Sequence, residues 1–147
     1  MDFQNDHLLI QLKLHLSAPP HQVYEMLATD AGRARFWAES AVETRGYIDF
    51  SFPNRQTWQA KILDDQPPHR FALAYFGGST TTFDLTPDDA GGTDLTLTDK
   101  GVASEDRTEV IAGWVSVLLA LKAAVDFSID LRNHDPQRTW DDGFVDN

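Results

Sequence analysis

The sequence predicts an α+β domain in which a curved antiparallel sheet of about seven strands grips one long C-terminal helix. Three observations predict it. The segment between Glu39 and Gly101 is a series of short apolar–polar alternations separated by Gly, Pro, Asn and Asp turns. A single uncharged run, Val110–Leu121 (VIAGWVSVLLAL), follows that series inside a helical stretch from Asp106 to about Leu131. One alternating strand and two short helical segments precede it.

The elements follow in order. In His7–Leu16, residues Ile10, Leu12, Leu14 and Leu16 alternate with Gln11, Lys13 and His15, which is the pattern of a half-buried strand. Pro19-Pro20 suits a first helical turn, with Ser17 or Ala18 as the cap. Val23, Met26 and Leu27 then fall at helical spacing, ending near Ala28. Thr29-Asp30 caps a second short turn, Ala31–Trp37. Ala41–Thr44 reads weakly as a strand. Ile48, Phe50 and Phe52 form the next, then Trp58, Ala60 and Ile62, then Phe71, Leu73 and Tyr75, then Thr81, Phe83 and Leu85, and last Leu95 and Leu97. Pro53-Asn54, Asp64–Pro68, Gly77-Gly78 and Pro87–Gly92 are the turns between them. Asp106 opens the long helix, with Glu109 placed to reach back as in a capping box. At 12 residues the uncharged run is too short to span a bilayer, which needs about 20. It is too evenly apolar for a helix with one wet face, so it is expected to be covered on nearly all sides. Val110, Trp114, Val117, Leu118, Leu121 and Val125 share the side expected to face the sheet. Ala112, Ser116, Leu119 and Ala123 share the back, which a partner subunit or the chain's own tail should cover. One domain is expected over 1–131. The polar tail 132–147 carries Trp140 and Phe144, and that pair predicts that it docks on its own domain or a neighbour.

Composition narrows the function. Net charge is −11, from 23 acidic and 12 Lys and Arg side chains, so the basic footprint of a nucleic-acid binder is absent and an anionic membrane surface is disfavoured. The chain has no cysteine, which removes disulfides, thiol nucleophiles and thiolate metal sites. No signal peptide is visible at the N-terminus, and a cytoplasmic location is the default expectation. His7, His15, His21, His69 and His134 show no metal-ligand spacing, and no HExxH, GxSxG, P-loop or dinucleotide fingerprint occurs. No metal and no cofactor is implied.

Several residues, in this order, resemble the START / Bet v 1 helix-grip (SRPBCC) superfamily. Within it the chain is similar to the bacterial branch named after the activator of the heat-shock chaperone ATPase. These residues are the proline-led helix with Val23-Tyr24, the aromatic pair Phe36-Trp37, Trp58, Pro67-Pro68 and Phe71, the strand Gly92–Thr98, Gly113-Trp114 and Leu121-Lys122. The resemblance spans roughly residues 8–131. It implies a seven-stranded sheet around a C-terminal helix, with a cavity between them that in the superfamily commonly takes apolar ligands. Phe36 stands where Trp is common, and the tail exceeds the minimal domain. Chaperone binding does not follow from the family name.

The leading expectation is therefore a non-catalytic binder of a small apolar or amphipathic molecule. Candidate lining residues are Trp37, Phe50, Trp58, Phe71, Leu73, Tyr75, Phe83, Trp114, Leu118 and Leu121. The same aromatic residues also fit a filled core. Trp37 and Trp114 are favoured for a mouth opening between the short helices and the long one. Alternation points Asp99 inward with Leu95 and Leu97. With Tyr75 it forms the weak catalytic candidate of a polyketide cyclase- or hydrolase-like enzyme, against the plainer readings of an ion-pairing or capping carboxylate and a core phenol. A protein-interaction or chaperone-regulating module, or a homodimer through the back of the long helix and the tail, is the third reading.

Overall fold

The computed structural model describes residues 3–147. Strand β1 (Leu9–Leu16) leads through helices α1 (Pro20–Ala28) and α2 (Asp30–Ala34) into β2 (Ser40–Thr44), β3 (Tyr47–Ser51), β4 (Thr57–Gln66), β5 (Arg70–Ala74), β6 (Thr80–Pro87) and β7 (Thr93–Lys100), and ends in helix α3 (Arg107–Phe127) and the tail. The seven strands form one antiparallel sheet in the order β1-β7-β6-β5-β4-β3-β2. Strands β2 to β7 are a meander. β1 closes the far edge by pairing with β7, Ile10 opposite Asp99 and Leu14 opposite Leu95. The fold is the expected α+β grip.

Helix α3 lies on the sheet face that carries Ile10, Phe71, Leu73, Phe83 and Leu97, and packs against β1 and α1. Trp114, Leu118 and Leu121 point into this core, as their shared face predicts. The helix is nonetheless not covered all round. Val115 and Leu119 are 39% and 51% exposed, so the uncharged run has an open stripe. Its 21 residues are long and apolar enough to cross a membrane, and its buried side makes it the core helix of this domain.

The helix ends differ from expectation. α3 stops at Phe127, four residues before Leu131, because Ser128 turns left-handed (φ 54°) and the Ile129 N–H bonds back to Ala123 O at 3.0 Å. Asp106 makes no side-chain cap, and Glu109 instead accepts from Trp140 Nε1 at 2.9 Å. Neither Ser17 nor Ala18 caps α1: Pro19 holds that position, and both backbone N–H groups bond to the Asp126 carboxylate of α3 at 2.9 and 3.0 Å. Thr29 caps α2 as expected, with Oγ1 accepting from Gly32 N at 3.0 Å. Gly32 is required there by proximity, since a Cβ would sit 2.5 Å from Glu25 O of α1. Arg33 is fully buried beneath this helix pair, donating to Leu27 O and Ala41 O and pairing with Asp30.

The tail lies along the domain. Arg132 donates to Ala38 O and Ala34 O at 2.9 and 2.8 Å, and His134 bridges Glu39 and Asp130 at 2.6 and 2.8 Å. Ser116 of α3 donates to Val145 O, and Asn54 to Asp141.

Candidate functional site

A cavity of about 360 Å³ opens between the first half of α3 and the sheet end formed by β4, β5 and β7. Four segments wall it. The β3–β4 turn contributes Phe52 and Gln56, and the β5–β6 connection contributes Tyr75, Phe76 and Ser79. The loop entering α3 contributes Val102 and Asp106, and the tail contributes Trp140 and Asp141. Trp37, Trp58, Asp99 and Trp114 complete it, so every tryptophan of the chain lines this one space. No residue of α1 or α2 does. The mouth therefore does not lie between the short helices and the long one.

Alternation explains the floor. Asp99 continues the inward row of Leu95 and Leu97 on β7 and is 1% exposed. It faces Thr81 in register on β6, and Thr81 Oγ1 donates to its Oδ1 at 3.0 Å. Trp114 Nε1 donates to its Oδ2 at 2.9 Å. Burial pushes the Asp99 carboxyl above its ordinary value, against the pull of Trp114, Thr81 and the Ser79 side chain. No cation pairs with it among the described residues. Tyr75 continues the row of Phe71 and Leu73 past the end of β5, and its hydroxyl accepts from Trp37 Nε1 at 3.0 Å. Burial pushes this phenol upward as well.

The aromatic rings pack edge to face and tilted around this floor. Trp114 lies 5.2 Å from Tyr75, 5.9 Å from Trp37 and 5.8 Å from Phe83, ring centre to ring centre. Trp58 sits between Phe52 and Phe76 at 4.3 and 5.0 Å, and its Nε1 is buried without a partner. Exposure rises from Asp99, Trp37 and Trp114 at the floor to Phe76, which is 46% exposed at the rim.

Of the residues singled out in the sequence, Trp37, Trp58, Tyr75, Trp114 and Asp99 are brought together on this cavity. Phe50, Phe71, Leu73, Phe83, Leu118 and Leu121 are packed in the core beside it and do not line it. Sequence reasoning missed Phe76, Asp106, Glu109 and Asp141 as wall residues; the aromatic pair in the polar tail was the one sign that the tail contributes. Among the described residues no group of three or more His, Asp or Glu side chains is arranged to hold a metal.

The arrangement can enclose a small molecule between aromatic faces, with a carboxyl at the inner end. A phenol and a carboxyl on one cavity can also exchange protons with what it holds.

Comparison with known proteins agrees with this architecture. The family model described as Activator of Hsp90 ATPase homolog 1-like protein matches residues 17–126. A search of curated proteins finds no match. Among solved structures, protein SSP2350 from Staphylococcus saprophyticus is 22% identical with a TM-score of 0.73, over 84% of this chain and 96% of that one. The Aha1 dimer from Colwellia psychrerythraea is 21% identical with a TM-score of 0.73, over 81% and 96%. DynU16, a protein of the dynemicin biosynthetic locus, is 17% identical with a TM-score of 0.75, over 88% of this chain and 51% of DynU16. At these identities the likeness establishes the fold. The tail 132–147 lies beyond the matched family region.

Proposed function

The chain belongs to the activator of Hsp90 ATPase homolog 1-like family, and on that premise we propose that it binds a small apolar or amphipathic molecule in the aromatic cavity without transforming it. The observation that carries this reading is the cavity itself. Its volume of about 360 Å³ falls in the range of ligand sites, roughly 300–1,000 Å³. All four tryptophans border it rather than filling it.

The test is native mass spectrometry of the purified full chain, with tryptophan emission followed during titration by the neutral probe N-phenyl-1-naphthylamine. A co-purified small molecule, or saturable quenching at one probe per chain, is expected. Protein that carries nothing and whose emission ignores the probe rules out the reading.

Acid–base chemistry is the second reading, because Asp99 and Tyr75 reach the same cavity. Against it, both groups are already engaged, Asp99 by Thr81 and Trp114 and Tyr75 by Trp37. A homodimer through α3 is favoured by the open stripe at Val115 and Leu119. Sedimentation of the purified chain decides it.

A further inference from the structure

The charge around the cavity is one-sided. Asp99, Asp106, Glu109 and Asp141 line it, and no Lys, Arg or His does. Asp99 is the unusual member. It is buried at the floor, and the side chains that bond to it, Thr81, Trp114 and Ser79, are all neutral. A carboxylate accepts about four hydrogen bonds, so neutral donors alone do not saturate it and none of them balances its charge. A buried carboxylate is ordinarily matched by a cation, and here the protein supplies none. The indole and phenol rings beside it, Trp37, Tyr75 and Trp114, lie within 5.2–5.9 Å of one another and offer the electron-rich faces that attract ammonium groups. An anion in this space meets four carboxyl side chains and aromatic faces of the wrong polarity. A neutral apolar body uses the walls and leaves Asp99 unmatched.

We propose that the cavity selects an organic cation, an ammonium group carried on an apolar body, with the positive charge set against Asp99 and the rings of Trp37, Tyr75 and Trp114. This rests on the reading of the cavity as a ligand site and names the class of ligand. The apolar body lies along Phe52, Trp58 and Phe76 toward the rim. The carboxylates of Asp106, Glu109 and Asp141 draw the cation in and discriminate against anions.

Three amphiphiles with one chain length and different heads test it: octyltrimethylammonium, octyl methyl sulfoxide and octyl sulfate, each titrated below its micelle concentration into the full chain while tryptophan emission is read. The cation is expected to bind at least about tenfold tighter than the sulfoxide, and the sulfate weakest. Asp99→Asn lowers affinity for the cation at least about fivefold and leaves the sulfoxide unchanged. Asp89→Asn removes the same charge from an exposed loop outside the cavity and leaves both unchanged. Should Asp99→Asn fail to fold by circular dichroism, Asp106→Asn carries the test, because that side chain makes no cap bond. It is expected to weaken the cation about threefold and spare the sulfoxide. Equal binding of cation and sulfoxide overturns the proposal while leaving a ligand site in place. So do equal losses in Asp99→Asn and Asp89→Asn, which mean general attraction to an acidic surface, and so does an unaffected Asp106→Asn where that variant is used. If none of the three amphiphiles alters the emission, the ligand site itself falls.

Discussion

Replacing Thr81 by Val isolates one bond at the cavity floor. Thr81 is fully buried and stands opposite Asp99 in the β6–β7 register, so Val occupies nearly the same space and removes only the hydroxyl that donates to Asp99 at 3.0 Å. A hydrogen bond to a charged group contributes about 1.5–3 kcal/mol, and one between neutral groups about 0.5–1.5 kcal/mol. Thr81→Val is therefore expected to lose about 1.5–3 kcal/mol at pH 8, a fall in Tm of roughly 3–12 °C for a chain of this size. The loss shrinks toward the neutral-bond value at pH 4, where more of this raised carboxyl carries its proton. The sign follows from burial: the Asp99 carboxyl is raised in the fold, so its charged form is disfavoured there, and stability falls as pH rises from the ordinary carboxylate range through the folded value. Removing a donor to the charged form raises that value further and moves the fall to higher pH. Urea unfolding followed by tryptophan emission measures it, with Thr81→Ser as the control that keeps the hydroxyl. A loss below about 0.5 kcal/mol at pH 8, or an equal loss at both pH values, would mean that Asp99 is not held as an ionised acceptor.

Asp99→Asn should flatten the dependence of Tm on pH above the ordinary carboxylate range, because the group that loses its proton with difficulty is gone; an unchanged slope assigns the dependence to another group. His134 is raised by its bonds to Glu39 and Asp130, so its hold on the tail is present below the ordinary imidazole value and lost as pH rises through the folded one. Hydrogen exchange of residues 132–147 should quicken from pH 6 to pH 9 beyond the intrinsic rate, and His134→Gln should abolish that difference. Ending the chain at Leu131 should leave a folded domain, because the core lies upstream, while lowering stability by about 1.5–3 kcal/mol through loss of the half-buried Trp140. Denaturant titration of the truncated chain, with probe affinity measured alongside, checks both, and a loss of cooperative unfolding would assign the tail to the core.

The fold was legible because period and punctuation agree at every element. Ile48, Phe50 and Ala60, Phe71 and Leu73, and Leu95 and Leu97 each alternate between turn residues, and all seven are buried. The meander follows from short turns between successive strands. The closure of β1 onto β7 does not, since pairing across more than 70 residues leaves no local trace. The helix ends misled for a similar reason. Ile129 and Leu131 extend the apolar spacing of α3, yet both are more than half exposed. The left-handed Ser128 that ends the helix has no glycine to announce it. Glu109 is well spaced for a capping box, and a tail aromatic 31 residues later takes its carboxylate instead.

The site was half legible, and the division falls where alternation stops being informative. A period of two says which face of the sheet a side chain occupies, and so it placed Asp99 and Tyr75 inward. It does not say whether the space above that face is filled. Phe71 and Leu73 precede Tyr75 on one inward row, yet they lie in the packed core while Tyr75 borders empty volume. What separates them is distance along the strand from the buried middle of α3, where Leu118 and Leu121 fill the gap. Nearer the helix start Gly113 lines the cavity with no side chain to occupy it, and only Trp114 reaches down to the floor. The wall is then finished by segments from four places in the chain, the last of them the tail. Trp140 reaches the cavity because its indole N–H finds Glu109. Phe144, four residues on and equally apolar, stays 39% exposed. Two aromatic residues of the same tail thus take different fates according to whether a partner waits in the folded domain, which is a property of the assembled sheet and helix and not of the tail sequence.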